Sequence, residues 1–412
     1  MSLSRIRQGG VKSEGTSGTA ESLASADFSR NLTELSFSAA SVRYARGILR
    51  AALTKLKDLV GCKLLEISWT EEMTHETDAS KSPPWYESLK ICGMQVHALK
   101  IITVTGVTGG SFAHGDTITA SGGKSGRIAW TGTISSAVKI VYEPSGSAFG
   151  DTDSISNGTV TATVSGAPAA AGWSLRPMSE NGSQTPPTGT AEFHDAVYTE
   201  RIVGGAGDAK MMFKHGEVPK LQLKIRGPRQ IKDEDGTPLD QGLVSNVSAA
   251  AVTPTALLGD LGLPITLGSW AGVITEVNVS LNNQLTDRKT LSTAGVIAYA
   301  TQGTHGGYMP TRITDRRVEI TIDPETPAES TKSLMKNWNS NADDSFFGQF
   351  GQLRIAGDRA IVVSAPKVSI AQDSFAMQDR DGISTSPLTL LATGVSNDDD
   401  EIYVDHVYIP SP

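Results

Sequence analysis

Arg317-Val318-Glu319-Ile320-Thr321-Ile322-Asp323 alternates without a break, polar residues at odd positions and β-branched apolar residues at even ones. A period of two sends successive side chains to opposite faces, so this stretch predicts a strand with one buried and one solvated side. The same reading fits Val277, Val279 and Leu281, then Ile361 to Val363, Val368 and Ile370, Leu388 and Leu390, and Ile402 and Val404. Short strands recurring between Gly, Pro and Asp argue for a mainly β sandwich or barrel. Among them Thr326-Pro327-Ala328-Glu329 offers a hydroxyl N-cap, a proline at the first helical position and a nearby carboxylate. It predicts the start of one short amphipathic helix bearing Leu334, Met335 and Trp338.

The 412 residues suffice for two or three domains, and 42 glycines with only 19 % charged residues describe a β-rich globular chain rather than a disordered one. No apolar run of about 18 residues occurs, and the N-terminus has no apolar signal core, which predicts a soluble protein made in the cytoplasm. In that reducing compartment Cys62 and Cys92 are expected as free thiols. The net charge of −8 is concentrated: residues 343 to 412 hold 11 acids and 4 bases, or 4 − 11 = −7. Acidic surface of this kind disfavours tight DNA binding, but it suits a passage along which a polyanion slides.

A repeat of order emerges along the chain. The strand Lys63 to Trp69 precedes a short helix at Pro83 to Lys90, as the strand Arg317 to Asp323 precedes the helix around Leu334. Each helix is followed by strands ending in an apolar run, Leu221 to Ile225 and Leu388 to Leu391. The pattern predicts a diverged tandem duplication. Residues 98–172 turn to Gly, Ser, Thr, Val and Ala, with Gly115-Asp116-Thr117 echoed by Gly150-Asp151-Thr152. That predicts a small inserted β domain ending in a linker at Ala167 to Gly172. Residues 1–40 form an N-terminal arm too poor in apolar surface to fold alone. Next, Val42, Ala45, Leu49, Ala52, Leu56 and Leu59 recur at helical spacing among Arg43, Arg46, Arg50 and Lys57. They read as a basic amphipathic helix, or as an extended arm, for an acidic partner.

Several motifs in order resemble the major tail tube proteins of long-tailed, non-contractile bacteriophages. They begin with Lys12-Ser13-Glu14-Gly15-Thr16-Ser17-Gly18-Thr19 and run through Leu89 to Gly93, Gly189-Thr190-Ala191 and Gly204 to Gly207. Val277 to Arg288, Asp323-Pro324-Glu325, Ala365 to Val368, Asp379-Arg380-Asp381-Gly382-Ile383 and the acidic Asp398 to Glu401 complete the series. The resemblance covers most of the chain outside the insert and the segment from about Pro228 to Trp270. It implies tandem-duplicated tail-tube β-sandwich or barrel units with one short helix each: 41–97 with 173–227, and 273–412, joined by a 228–272 linker, the 98–172 insert facing outward.

The implied function is structural: rings stack into the hollow tube that conducts genomic DNA during ejection. A duplicated subunit would make a homotrimeric, pseudo-sixfold ring, and an unduplicated one a homohexamer. The implied partners are further copies, tape measure, tail terminator and distal tail proteins, with double-stranded DNA in transit, no membrane and no cofactor. The implied location is the virion tail, assembled in the host cytoplasm. Lumen candidates are Glu319, Thr321 and Asp373, in a bore expected to be lined by carboxylates. Assembly candidates are Gly9, Lys12, Glu14, Arg30, Asp233, Asp235, Asp240 and His305, in long polar Gly-bearing segments.

An enzyme is not expected. Gly123-Lys124-Ser125 has Ile118 where a phosphate loop needs glycine, so it reads as a turn. The seven histidines show no zinc spacing, Asp233 to Asp240 lacks the Glu of a calcium loop, and no nucleophile elbow is present. The alternative from another class is a carbohydrate-binding or adhesive β protein of the virion, a head decoration or tail fibre component. Against it, the insert offers only Trp130, Tyr142 and two phenylalanines as a sugar platform.

Overall fold

The computed structural model describes residues 7–29, 31–44, 59–75, 82–179, 185–195, 199–230, 265–289, 308–371, 375–395 and 399–410. Strands dominate. In chain order they are β1 (Arg7–Ser13), β2 (Leu32–Tyr44), β3 (Leu59–Glu72), β4 (Met94–Thr108), β5 (Thr117–Ala120), β6 (Lys124–Ile134), β7 (Ala137–Pro144), β8 (Ser154–Ser156) and β9 (Thr161–Pro177). There follow β10 (Gly189–Asp195), β11 (Thr199–Lys214), β12 (Lys220–Gln230), β13 (Thr266–Leu267), β14 (Trp270–Ala271), β15 (Glu276–Ser280), β16 (Gln284–Lys289) and β17 (Tyr308–Asp315). The last are β18 (Glu319–Ile322), β19 (Asp344–Gly351), β20 (Arg359–Ile370), β21 (Gln378–Arg380), β22 (Ile383–Thr385), β23 (Leu388–Ala392) and β24 (Tyr403–Tyr408). Two α-helices, α1 (Trp85–Ile91) and α2 (Leu334–Ser340), and a short 3-10 helix at Ser25–Asp27 complete the described elements.

One all-antiparallel sheet runs β2-β3-β12-β11-β15-β18-β23-β20. The alternation at 317–323 lies at its centre: Val318, Ile320 and Ile322 are buried, Glu319 is half-buried and Thr321 is exposed. Register carries the apolar face across six strands as the row Leu221, Met211, Val279, Ile320, Leu390, Ile370. Each such side chain, fully buried, contributes about 1.5–3 kcal/mol. This face packs on a second sheet, β4-β9-β24-β20-β19, with Met94, Leu175, Ile361, Val363 and Val404 in the shared core. Strand β20 passes from one layer to the other, pairing β24 through Arg359–Ser364 and β23 through Val368–Ile370.

The outer ends of β4 and β9 close with β5, β6, β7 and β8 into a six-stranded barrel, in the cyclic order β4-β7-β6-β5-β8-β9. Ile102, Ile118, Ile128, Ile140, Phe149, Ile155 and Val164 fill it. Its halves repeat. Phe112, Asp116 and Ile118 recur as Phe149, Asp153 and Ile155, 37 residues on. Gly115 N–H donates to Ile128 O and Ile128 N–H to Asp116 O, just as Thr152 N–H donates to Val164 O and Val164 N–H to Asp153 O. Through Trp130 and Val141 the barrel packs against Ala360, Val362 and Val407, on the side of the second sheet away from the first.

Three expectations are corrected. Residues Val42–Tyr44 and Leu59 are strand, paired as Arg43↔Val60 and Tyr44↔Leu59, so no helix begins at Val42 or ends at Leu59; residues 45–58 lie outside the described set. Cross-strand pairing overrides local helical spacing there. Ala167 to Gly172 is no linker but the middle of β9, paired with β4 and β24. Its small side chains let three strands approach closely. Helix α2 starts at Leu334 rather than Pro327, because Glu325 and Thr326 are held in sheet contacts with Thr385 and Ser384.

Candidate functional site

The surface with most to offer is the solvated face of the eight-stranded sheet and its outer edge. One row, polar except at Leu391, crosses all eight strands: Glu34, Thr70, Gln222, Lys210, Ser280, Glu319, Leu391, Ser369. A second runs Lys220, Met212, Asn278, Thr321, Thr389. Glu319 lies 3.0 Å from Arg317 and Glu66 lies 3.2 Å from Lys224, so two of the acids here are paired. Lys210, Lys214, Lys220, Lys224 and Arg226 balance Glu34, Glu66, Glu72, Glu276 and Glu319. Such a face neither grips nor strongly repels phosphate.

Among the described residues β2 pairs only with β3, leaving the other edge of a 13-residue strand with its backbone groups unladdered. Exposed edges of this length template pairing with another chain. At the far margin, among the described residues, Ser369 and Ile370 pair only with β23, since β19 reaches no further than Val368.

The assembly candidates fall in different places. Gly9 is buried in β1, where an added Cβ would meet Leu35 at 3.2 Å. Lys12 donates to Ser22 O at 3.2 Å. Glu14 is buried, accepting from Gly18 N and Gly204 N at 2.7 Å and from the Thr188 and Thr190 hydroxyls at 2.6 and 3.0 Å. Burial raises its pKa despite those four donors. It clips the chain after β1 onto its own sandwich. Arg30, Asp233, Asp235, Asp240, His305 and the lumen candidate Asp373 lie outside the described residues. Glu319 and Thr321 share the solvated face.

Two buried polar groups escaped the reading of the sequence. On β24, Asp405 is fully buried and takes Arg127 of β6 in a two-pronged contact at 2.7 and 3.1 Å. Arg127 also meets Glu143 at 3.2 Å and Ser174 at 3.0 Å and stacks over Tyr403 at 3.8 Å. Burial pulls the guanidinium pKa down, but Asp405 and Glu143 outweigh it and hold it above the ordinary value. On the opposite face of β24, His406 contacts Tyr86 and His75. Partners some 300 residues apart leave no local signal; only the fold unites them.

Smaller motifs resolve into structure. Gly122 and Gly123 turn the chain with positive φ into Lys124, which lies 2.6 Å from Asp153. Asp399 and Glu401 of the acidic cluster are engaged by Ser179 N and Arg316. Cys92 is a buried free thiol. Among the described residues no helix is long and apolar enough to cross a membrane. Compared with known proteins, the chain matches no family model and no curated relative.

Proposed function

We propose that this chain is a structural subunit that joins edge to edge with copies of itself into a hollow ring. Stacked rings would form a phage tail tube through which DNA passes. The observation that carries the reading is a repeated strand order within one open sheet. In the first half β2, β3, β12 and β11 lie side by side, and in the second β15, β18, β23 and β20 do so. Each time a strand precedes a helix and the last of the set returns to pair with it.

Size supports three copies over six. Twenty-four strands at ~4.8 Å give a backbone circle about 37 Å across, and side chains about 5 Å deep leave a bore of about 27 Å. That bore admits one duplex. Six copies would enlarge the circle to about 73 Å by the same spacing. In this arrangement the charge-balanced face lines the bore and the barrel, on the far side of the second sheet, points outward.

Proline scanning of β2 tests the reading. Alternate amides of an edge strand point to the partner or away from it, so of Ser38→Pro and Ala39→Pro one removes an outward N–H and spares the β3 ladder. Light scattering and negative-stain microscopy should then find a folded monomer for that variant and annuli for the parent protein. A parent protein that stays monomeric at high concentration would overturn the proposal.

A further inference from the structure

We propose that Tyr86, His406 and His75 form an acid-sensitive latch that holds α1 and the end of β3 against β24. Through the opposite face of β24, the same latch keeps the barrel fastened to the sandwich. His406 Nδ1 lies 2.7 Å from the Tyr86 hydroxyl and its Nε2 lies 2.6 Å from His75 Nδ1, with the two imidazoles stacked 4.7 Å apart. The chain joins segments 320 and 331 residues apart in sequence. Trp85 packs edge-on against His406 and ties the same corner to Thr74 O at 2.8 Å.

One proton fills each gap when both rings are neutral: the Tyr86 hydroxyl donates to Nδ1, and Nε2–H donates to His75. An added proton makes an imidazolium that no carboxylate among the described residues pairs with. Among the described residues the titratable and charged groups around His406 are Tyr86 from α1, His75 after β3 and Arg359 from β20, itself stacked on Tyr408. Asp405 is on the same strand but turned to the barrel, where Arg127 already neutralises it. From β9 and β20 the residues opposite are Trp173 and Ile361, both uncharged.

Burial, and after it the Arg359 charge, lowers the His75 pKa to about 4; burial, His75 and Arg359 place His406 well below its ordinary value. Both folded values lie below the unfolded one near 6.5. The latch is therefore intact above pH 6.5 and is lost as pH falls toward about 4. Each neutral histidine can raise the opening equilibrium by up to about tenfold per pH unit across that window. Because Asp405 and His406 are neighbours on β24, displacing the strand also unseats Arg127. The inference is independent of any ring.

Hydrogen exchange followed by mass spectrometry on the full chain tests it, with rates corrected for the intrinsic effect of pH. Protection of α1, β24 and the barrel strands should fall between pH 6.5 and 4 before that of β11 and β12. In His75→Gln, which keeps a hydrogen-bonding group at the less buried end, the pH slope should drop by about half while protection at pH 7.5 persists. An unchanged slope in that variant overturns the latch. Should His75→Gln not fold, the parent profile decides alone: loss confined to this corner supports the proposal, and loss spread evenly over all strands refutes it.

Discussion

Asp405 shows how much can rest on one contact. It is fully buried, and Arg127 donates a hydrogen bond to each of its carboxylate oxygens. Removing one member of a buried pair leaves an uncompensated charge, so Arg127→Met should destabilise the protein by about 3–5 kcal/mol in urea denaturation. The double variant Arg127→Met/Asp405→Leu should recover most of that loss, since an apolar pair of similar volume carries no desolvation penalty. A single variant that loses less than about 1 kcal/mol would mean that Asp405 regains water. Acidification adds opposing contributions. Burial raises the carboxyls of Glu14 and Glu71 above 4.5, so protonating them on falling pH relieves a cost of the fold. The histidine loss begins near pH 6.5 and acts in the opposite direction.

At the scale of elements, period-two stretches were legible because burial enforces them. Val277, Val279, Ile320, Ile322, Leu388 and Leu390 are all buried, as their alternation predicts. The segments misread are those where a neighbour, rather than local pattern, decides. Val42 to Tyr44 has helical spacing but pairs with β3, and Thr326 has capping chemistry but donates its N–H to Ser384. The Ala167 to Gly172 run looks like a linker since its purpose, close approach, needs small side chains. Gly172 has φ +107°, and a Cβ there would meet His406 O at 2.0 Å. Gly172→Ala should therefore cost about 2–5 kcal/mol, combining ~1–2 for the left-handed region with ~1–3 for overpacking. Thermal or urea unfolding checks it, and a near-neutral result would mean that β9 and β24 separate without penalty.

For the whole molecule the question is whether the barrel is part of the folding unit or an addition to it. It has its own core, and its entry and exit strands remain paired below it as Ala98↔Trp173 and Val96↔Leu175. Replacing residues 100–171 by Asn-Gly should then close β4 and β9 with a tight turn. The excision uncovers Val362 and Val407, so Val362→Thr and Val407→Thr accompany it to prevent an apolar patch, while Asp405 returns to water and no longer needs Arg127. The shortened chain is expected to unfold cooperatively and, on the ring proposal, to form annuli of the same bore with a thinner wall in negative stain. Loss of cooperative unfolding would make the barrel integral to the sandwich. A folded but strictly monomeric product would shift the assembly contacts from the edges of the eight-stranded sheet to the barrel itself, since the cut removes no residue of β2 or β20.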